Sequence, residues 1–163
     1  MENTIKDKIE ISLLEKQHSA QIANLAVCLT QEIIERTGVH QFDVDVALAT
    51  SLCEQYIENG HYHVLAAQYE NRIIGFGALC ESHSLYAEGC FGILQEFYVL
   101  PEFRSQNVGQ QLIDALVNYA QQQNWKRLEL CTPPVPEFER SVTFYKDNGF
   151  EITGGYKMKR IIK

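Results

Sequence analysis

The chain has 163 residues, of which 45% are hydrophobic and 21% are charged, and its formal net charge is -7. This length suits one domain with its own core, so we expect a single domain over residues 1–163. The acidic balance argues against a nucleic-acid partner, because neutralising phosphates takes a surplus of lysine and arginine on one face.

The sequence also argues against export, membrane insertion and structural zinc. The first residues, MENTIKDKIEISLL, show no basic end followed by an apolar run, and no uninterrupted apolar run reaches the ~18 residues of a membrane span. The odd set of cysteines shows no CxxC spacing, which predicts buried, reduced thiols. They are Cys28, Cys53, Cys80, Cys90 and Cys131. We therefore expect a cytoplasmic protein with no membrane partner and no metal.

Hydrophobic periodicity predicts alternating strands and helices. In chain order they are a strand (8–14), a helix from Ile22 to Gly38, a helix (44–57), three strands (62–69, 72–82 and 92–100), a helix (108–123), a strand (126–132), a helix (137–148) and a hairpin turning at Gly154-Gly155. This order predicts a mixed central sheet with helices on both faces. The strand at 92–100, its helix and the strand at 126–132 form a parallel, right-handed βαβ unit.

Local signals mark several boundaries. Asp43 or Asp45 is placed to cap the second helix. Asn71 tolerates the positive φ of a tight turn between the second and third strands. The stretch SLYAEGCF (84–91) reads as a loop, and the prolines of PPVP (133–136) force an extended segment because they cannot donate to a strand ladder.

The stretch EFYVLPEFRSQNVGQQL (96–112) contains a strand end, a loop and the start of a helix. Unpaired backbone N–H groups and the positive end of the helix dipole make such a helix start attractive to an anion. Arg104 adds a positive charge just outside it. On spacing alone, an ordinary strand-to-helix connection with a solvated arginine explains the pattern at least as well.

Two stretches resemble motifs of the GNAT superfamily of N-acetyltransferases. SVTFYKDNGFEI (141–152) is similar to the later motif A-x-x-x-Y-x-x-x-G-F. The acetyl-CoA-binding motif V-x-P-x-[FY]-[QR]-x-x-G-x-[GA] is filled by Val99, Pro101, Phe103, Arg104, Asn107 and Gly109. The resemblance covers nearly the whole chain. It implies a GNAT-like α/β (α+β) fold, with a mixed, mostly antiparallel sheet of about seven strands, about four helices and splayed strands at the cofactor site.

The resemblance also implies an activity, namely direct transfer of the acetyl group of acetyl-CoA to a primary amine in a ternary complex. Glu96 matches the carboxylate that takes a proton from the amine, and Tyr145 matches the tyrosine that protonates the departing thiolate. The implied cofactor-binding residues are Phe97, Tyr98, Val99, Arg104, Ser105, Gln106, Asn107, Val108, Gly109, Gln110, Ser141 and Phe144. Direct transfer is preferred because no residue is clearly set up as a covalent nucleophile.

Three positions depart from the family pattern. Asn107 stands where a glycine is usual, Phe138 where many members have asparagine, and Ser141 where alanine is usual. Glycine serves such a loop in two ways, by taking positive φ and by lacking a side chain where phosphates approach. Asn107 is expected to supply the positive φ and Gly109 the close approach.

Simpler roles compete with the catalytic ones. Glu96 in a strand can face water or pair with a base, and Tyr145 shares a helical stripe with Phe138 and Val142, so packing explains it too. The alternative function is a catalytically silent module that binds acetyl-CoA as a sensor or regulator. The presence of both Glu96 and Tyr145 favours the enzyme.

The acceptor is expected near the first two helices and two loops. Tyr86, Glu88, Glu137 and Glu139 would give an acidic, partly aromatic entrance, which predicts an amine-bearing small molecule or peptide as acceptor. The protein is expected to be a monomer or a homodimer. His61 and His63 share one side of a strand, as two metal ligands would, but no third ligand is evident and surface histidines are the commoner case. Cys131 reads as inert packing.

Overall fold

The structure is a computed structural model that describes residues 4–40, 42–43 and 45–163. It comprises two units, Met1–Leu130 and Cys131–Lys163. The single domain expected from the length stays a prediction. Among the described residues, no helix combines the length and the apolar character needed to cross a bilayer.

The first unit is built on one sheet in which the strands follow their order in the chain. The strands are β1 (Glu10–Leu13), β2 (His63–Tyr69), β3 (Arg72–Ser84), β4 (Gly89–Val99) and β5 (Leu128–Leu130). The first four pair antiparallel, and β4 pairs with β5 in parallel. The predicted mixed, mostly antiparallel sheet is therefore confirmed, with five strands in the described chain rather than about seven.

Four α-helices match the predicted ones. They are α1 (Ser19–Thr37), α2 (Val46–Glu58), α3 (Val108–Gln122) and, in the second unit, α4 (Glu139–Asp147). Short 3₁₀ turns lie at Ile5–Lys8, Lys16–His18 and Pro101–Phe103. The α3 helix connects β4 to β5, which confirms the βαβ unit.

The predicted helix signals act as expected. Gly38 ends α1 with a φ of 69°, and the Asp45 side chain caps α2 by accepting from the Leu48 N–H. Val44, where the sequence predicts the start of that helix, lies outside the described residues. The turn between β2 and β3 places both Glu70 and Asn71 at positive φ, 48° and 63°.

Helices cover both faces of the sheet. Neighbouring residues of β2 point to opposite faces, and accordingly Ala66 belongs to an apolar cluster with α1 and α2, whereas Ala67 belongs to one with α3. On the α3 side, a Cβ built on Gly77 would lie 2.7 Å from Leu116 Cδ1, so a glycine is what lets α3 approach β3. The two-faced arrangement predicted from the element order is confirmed.

Three predicted boundaries are wrong. The stretch 84–91 is not all loop, because β3 reaches Ser84 and β4 begins at Gly89, leaving a turn at 85–88. The strand predicted at 126–132 pairs only at Leu128–Leu130, since the prolines that follow cannot donate to a ladder. The extended segment predicted at 133–136 turns from 135 onward, leading into α4.

The hairpin predicted at Gly154-Gly155 is also wrong. Residues 151–163 contain no helix or strand, and Ile152 and Tyr156 are 71% and 97% exposed. Strand preference reflects packing against neighbours more than an intrinsic backbone tendency. Alternation alone therefore does not make a strand of a segment whose apolar side chains are not buried.

Candidate active site

Glu96 lies beside a β-bulge in β4. Ala78 pairs with Glu96 and Leu79 pairs with Leu94, so Gln95 is an extra residue in β4. A bulge bends a strand and re-aims the side chains next to it. Glu96 lies two residues from Tyr98, which packs in the cluster beneath α1 and α2, so both side chains face that side of the sheet.

The two oxygens of the Glu96 carboxylate differ in their hydrogen bonding. The Tyr62 hydroxyl donates to Glu96 Oε1 at 3.2 Å, while Oε2 is buried and has no hydrogen-bond partner among the described residues. Burial raises the pKa of Glu96 above its ordinary value, and the hydrogen bond from Tyr62 opposes that rise. A carboxylate of this kind is suited to exchanging protons, because its pKa moves toward the working pH of an enzyme.

Further polar atoms are buried at the start of α1. His18 Nδ1 and Ser19 Oγ have no hydrogen-bond partner within the part of the chain that the structure describes. Cys53 of α2 lies near both Ser19 and Glu96, and burial raises the pKa of its thiol. Buried polar groups in native proteins almost always have partners, so His18 Nδ1 suits a water molecule or a ligand, whereas Ser19 Oγ has the Cys53 thiol beside it.

Arg104 is held by Glu32 of α1. Its Nη1 and Nη2 donate to Glu32 Oε1 and Oε2 at 3.0 and 2.7 Å, its Nε donates to the Val99 carbonyl at 2.8 Å, and its guanidinium carbon lies 5.2 Å from the centre of the Tyr98 ring. The pKa of Glu32 is lowered mainly by this hydrogen bond. Arg104 therefore links the loop after β4 to α1. The sequence suggests that its positive charge helps to bind a phosphate, but in the structure the Glu32 carboxylate neutralises that charge.

The loop before α3 has the backbone geometry that its sequence predicts. Asn107 precedes α3 with φ 67° and ψ 11°, in the left-handed region, and Gly109 lies in the first helical turn. Ser105 also has a positive φ, 61°, which was not predicted. The first backbone N–H groups of a helix have no intrahelical acceptor, so this end of α3 can receive an anion.

Side chains in this loop are engaged locally. Gln106 Nε2 donates to the Glu102 carbonyl at 2.8 Å, and Gln110 Nε2 donates to Asp114 Oδ1 at 3.1 Å. Val108 is 1% exposed and packs in the α3 cluster. An anion here would therefore meet backbone N–H groups more than these side chains.

The end of β4 extends past its parallel neighbour. The ladder with β5 ends at Leu94 and Leu130, while β4 continues to Val99. The segment that includes Phe97, Tyr98 and Val99 therefore runs on without a β5 pair.

The predicted acceptor residues Tyr86 and Glu88 do not meet Glu96. They lie in the turn between β3 and β4, and Gly89 is separated from Glu96 by about 20 Å of strand. Tyr86 contacts Glu129 instead, donating to its Oε1 at 3.0 Å. Glu137 is exposed in the second unit.

Tyr145 lies in α4, within an aromatic group of the second unit. Its ring centre is 5.3 Å from that of Phe144 and 5.6 Å from that of Phe150. Burial raises the pKa of Tyr145 above its ordinary value, so its hydroxyl stays protonated at neutral pH. Ser141 lies one helical turn earlier, and its N–H donates to the Phe138 carbonyl at 3.0 Å.

Two residues of this site escaped the sequence reasoning. Tyr62 contacts Glu96, which is 34 positions away in the chain. Glu32 contacts Arg104, which is 72 positions away, and no local sequence pattern signals either pair. Tyr62 lies between His61 and His63, the pair whose spacing suggests metal ligands. His63 is in fact partly buried, its Nδ1 lying 2.8 Å from the Tyr119 hydroxyl, and burial lowers its pKa. Cys131 is exposed, not packed.

Comparison with known proteins shows which family the chain resembles. Residues 59–152 match the profile of the acetyltransferase (GNAT) domain. An uncharacterized N-acetyltransferase of Bacillus subtilis (strain 168), YhfO, is 30% identical over 112 residues, which is 69% of this chain and 74% of that protein.

Solved structures share the fold at lower identity. A ribosomal-protein-alanine N-acetyltransferase of Brucella melitensis biovar Abortus 2308 superposes with a TM-score of 0.71 at 20% identity, covering 94% of this chain and 99% of that one. The aminoglycoside N-acetyltransferase AAC(6')-Iy in complex with CoA gives 0.73 at 22% identity, covering 94% of both chains. These likenesses show the fold.

Proposed function

Since the chain belongs to the GNAT family of acetyltransferases, and is thus an acyltransferase, we propose that it transfers the acetyl group of acetyl-CoA to a primary amine. The acceptor is an amine on a small molecule or peptide. The observation that carries this proposal is the buried Oε2 of Glu96, which has no hydrogen-bond partner in the described part of the chain. That atom provides a proton acceptor on the side of the sheet covered by α1 and α2.

The chain's own residues suit the pyrophosphate and arm of acetyl-CoA. A 15-residue helix begins after Asn107, so N–H groups and the helix dipole favour a phosphate there. The β4 segment beyond Leu94 offers backbone groups to an extended chain, as a further strand would. When bound, acetyl-CoA supplies an acetyl group activated as a thioester.

Glu96 is proposed to take the proton from the amine. An alkyl amine is mostly protonated at neutral pH, and its lone pair attacks a carbonyl only after the proton has left. Glu96 Oε2 accepts that proton, directly or through one water, while Tyr62 keeps Oε1 in place. As the new C–N bond forms, the C–S bond breaks and the nitrogen releases its second proton to solvent. The departing thiolate accepts a proton from the Tyr145 hydroxyl, which then regains one from solvent.

The acceptor is proposed to be cationic before it reacts. Glu96 is a carboxylate in a chain of net charge -7, and a protonated amine would be attracted to it. Relatives of this fold include a ribosomal-protein-alanine acetyltransferase and an aminoglycoside acetyltransferase. Both a peptide N-terminus and a polyamino sugar are therefore sensible test acceptors.

The test is release of free thiol from acetyl-CoA in the presence of a panel of amines. The panel contains polyamines, aminoglycosides, amino acids and peptides with free N-termini, and each hit is verified by mass spectrometry of the acetylated product. Amine-dependent release supports the proposal. Tight binding of acetyl-CoA with no release for any amine would identify a regulatory module, and preference for anionic acceptors would contradict the charge argument.

Replacing Tyr62 with phenylalanine is expected to shift the acidic limb of the kcat/KM profile to higher pH. The hydrogen bond from Tyr62 lowers the pKa of Glu96, so its loss raises that pKa, and the carboxylate then ionises only at higher pH. The control is Tyr56→Phe, because the Tyr56 ring lies 5.1 Å from the Tyr62 ring but its hydroxyl is not the donor to Glu96. If the acidic limb of the kcat/KM profile is unshifted in Tyr62→Phe, the hydrogen bond from Tyr62 does not influence the group that titrates in catalysis.

Replacing Tyr145 with phenylalanine is expected to lower kcat by only about tenfold. The raised pKa of Tyr145 makes its hydroxyl a weak acid, and the thiolate is a good leaving group, so proton transfer from Tyr145 speeds the reaction only modestly. The melting temperature should be nearly unchanged, because the ring contacts with Phe144 and Phe150 are kept. An unchanged kcat would show that the Tyr145 hydroxyl does not act as the acid in the reaction.

A further inference from the structure

A cluster of metal-ligand side chains lies at the end of the β3–β4 hairpin. His83 of β3 pairs directly with Cys90 of β4. Glu81 lies two residues before His83 in β3, so its side chain points to the same face of the sheet. One ligand atom from each of these three residues lies within 4.8 Å of the other two.

Two of the three ligand atoms already have the spacing of a metal site. His83 Nε2 lies 3.5 Å from Glu81 Oε1. Nitrogen and oxygen ligands bound at about 2.0 to 2.1 Å to one tetrahedral zinc ion are about 3.4 Å apart. Cys90 Sγ lies within 4.8 Å of a ligand atom of both His83 and Glu81, and strand pairing fixes its backbone opposite His83.

Trp125 orients the Glu81 carboxylate. Glu81 pairs with Gly92, and a Cβ built on Gly92 would lie 2.5 Å from Trp125 Cε3, so the indole ring occupies the space beside that glycine. Trp125 is 7% exposed, and its Nε1 donates to Glu81 Oε2 at 2.7 Å. A hydrogen bond to the outer oxygen of a ligating carboxylate fixes the other oxygen for the metal.

We propose that Glu81, His83 and Cys90 bind one zinc ion, with water as the fourth ligand. An imidazole, a thiolate and a carboxylate on a tetrahedral frame are characteristic zinc ligands. Cys90 releases its proton on binding, and the thiolate and carboxylate then balance the charge of Zn²⁺. The ion closes the base of the turn at 85–88, and the exposed side chains of Glu81 and His83 leave it an entry path.

Sequence spacing alone does not reveal this site. His83 and Cys90 are brought together by strand register rather than by a short Cys-x-x-Cys motif, and Glu81 is oriented by a tryptophan 44 residues away. The histidine pair at positions 61 and 63 offered a more obvious pattern, but His63 already contacts Tyr119.

The experiment is a Co²⁺ titration of the reduced, metal-free full chain, followed by absorption spectroscopy. Cobalt adopts zinc's tetrahedral geometry and reports a bound thiolate by a charge-transfer band in the near ultraviolet. We expect saturation at one ion per chain and displacement by Zn²⁺. Cys90→Ser should lose the charge-transfer band, whereas Cys131→Ser should keep it, because Cys131 is an exposed thiol outside the cluster.

Trp125→Phe tests the orientation of Glu81. It keeps an aromatic ring beside Gly92 but removes the N–H donor, and loss of such an outer hydrogen bond weakens metal binding by roughly 10- to 100-fold. Absence of saturable one-to-one binding in the wild type, or a charge-transfer band that survives Cys90→Ser, would overturn the proposal. Because the readout is metal binding, the result is independent of acetyl transfer.

Discussion

Replacing Glu96 with glutamine is expected to lower kcat/KM for the amine by roughly 100- to 10,000-fold, the usual contribution of a positioned general base. Glutamine keeps the size of the side chain and an oxygen that accepts from Tyr62, but it cannot accept the amine proton. The loss should be smaller at high pH, where more of the amine is already neutral. Steady-state kinetics across a pH series measures both effects.

The matched control is Glu35→Gln, which removes the same charge from an exposed position on α1. It should leave turnover within a few-fold of the wild type, since a screened surface charge acts weakly at a distance. Comparable losses in both variants would mean that net charge, rather than proton transfer at Glu96, controls the rate.

Thermal unfolding separates a catalytic role of Glu96 from a structural one. Burial raises the pKa of Glu96, so between its unfolded and folded pKa values the folded chain holds more protons, and stability falls as pH rises through that window. Glutamine cannot ionise, so Glu96→Gln should melt higher than the wild type at about pH 8 and close to it at about pH 4. A variant that is less stable at both values would point to a structural role.

The parts of the fold that the sequence predicts are those set by local chemistry. Gly38 and Asn71 are in positive-φ conformations that few other residues accept, and Asp45 caps the helix that follows it. Helical spacing places α1 and α3 correctly because their apolar stripes are long and regular. These signals need no knowledge of what lies across the fold.

The parts that it misses depend on contacts between distant segments. The Tyr62 hydroxyl reaches Glu96 only because β2, β3 and β4 pair in one register, which also aligns His83 with Cys90. Arg104 looks like a phosphate ligand in sequence, yet Glu32, from another helix, holds its guanidinium. Tertiary structure decides which charged side chains pair, so a sequence motif can identify a functional residue without revealing its partner.

Replacing Asn107 with valine is expected to cost about 2 kcal/mol, whereas replacing it with glycine should cost almost nothing. Asn107 has φ 67° and ψ 11°, a conformation in which a β-branched side chain is strained and asparagine is tolerated. Glycine takes the same conformation freely and leaves the N-terminus of α3 open. The comparison of the two variants therefore isolates the backbone requirement from the amide side chain.

The valine penalty appears in one of two measurements, according to what the loop does without ligand. If the loop keeps its left-handed residue, the free energy of unfolding falls and the affinity for coenzyme A is unchanged. If the loop relaxes, stability is kept and coenzyme A must restore the strained conformation, so its Kd rises by about 30-fold, which equals the same 2 kcal/mol. Denaturant unfolding measures the loss in stability, and calorimetric titration measures the loss in binding free energy. The two losses together should equal about 2 kcal/mol. A valine variant as stable and as tightly bound as the glycine variant would show that the loop before α3 does not need its left-handed residue to hold a phosphate.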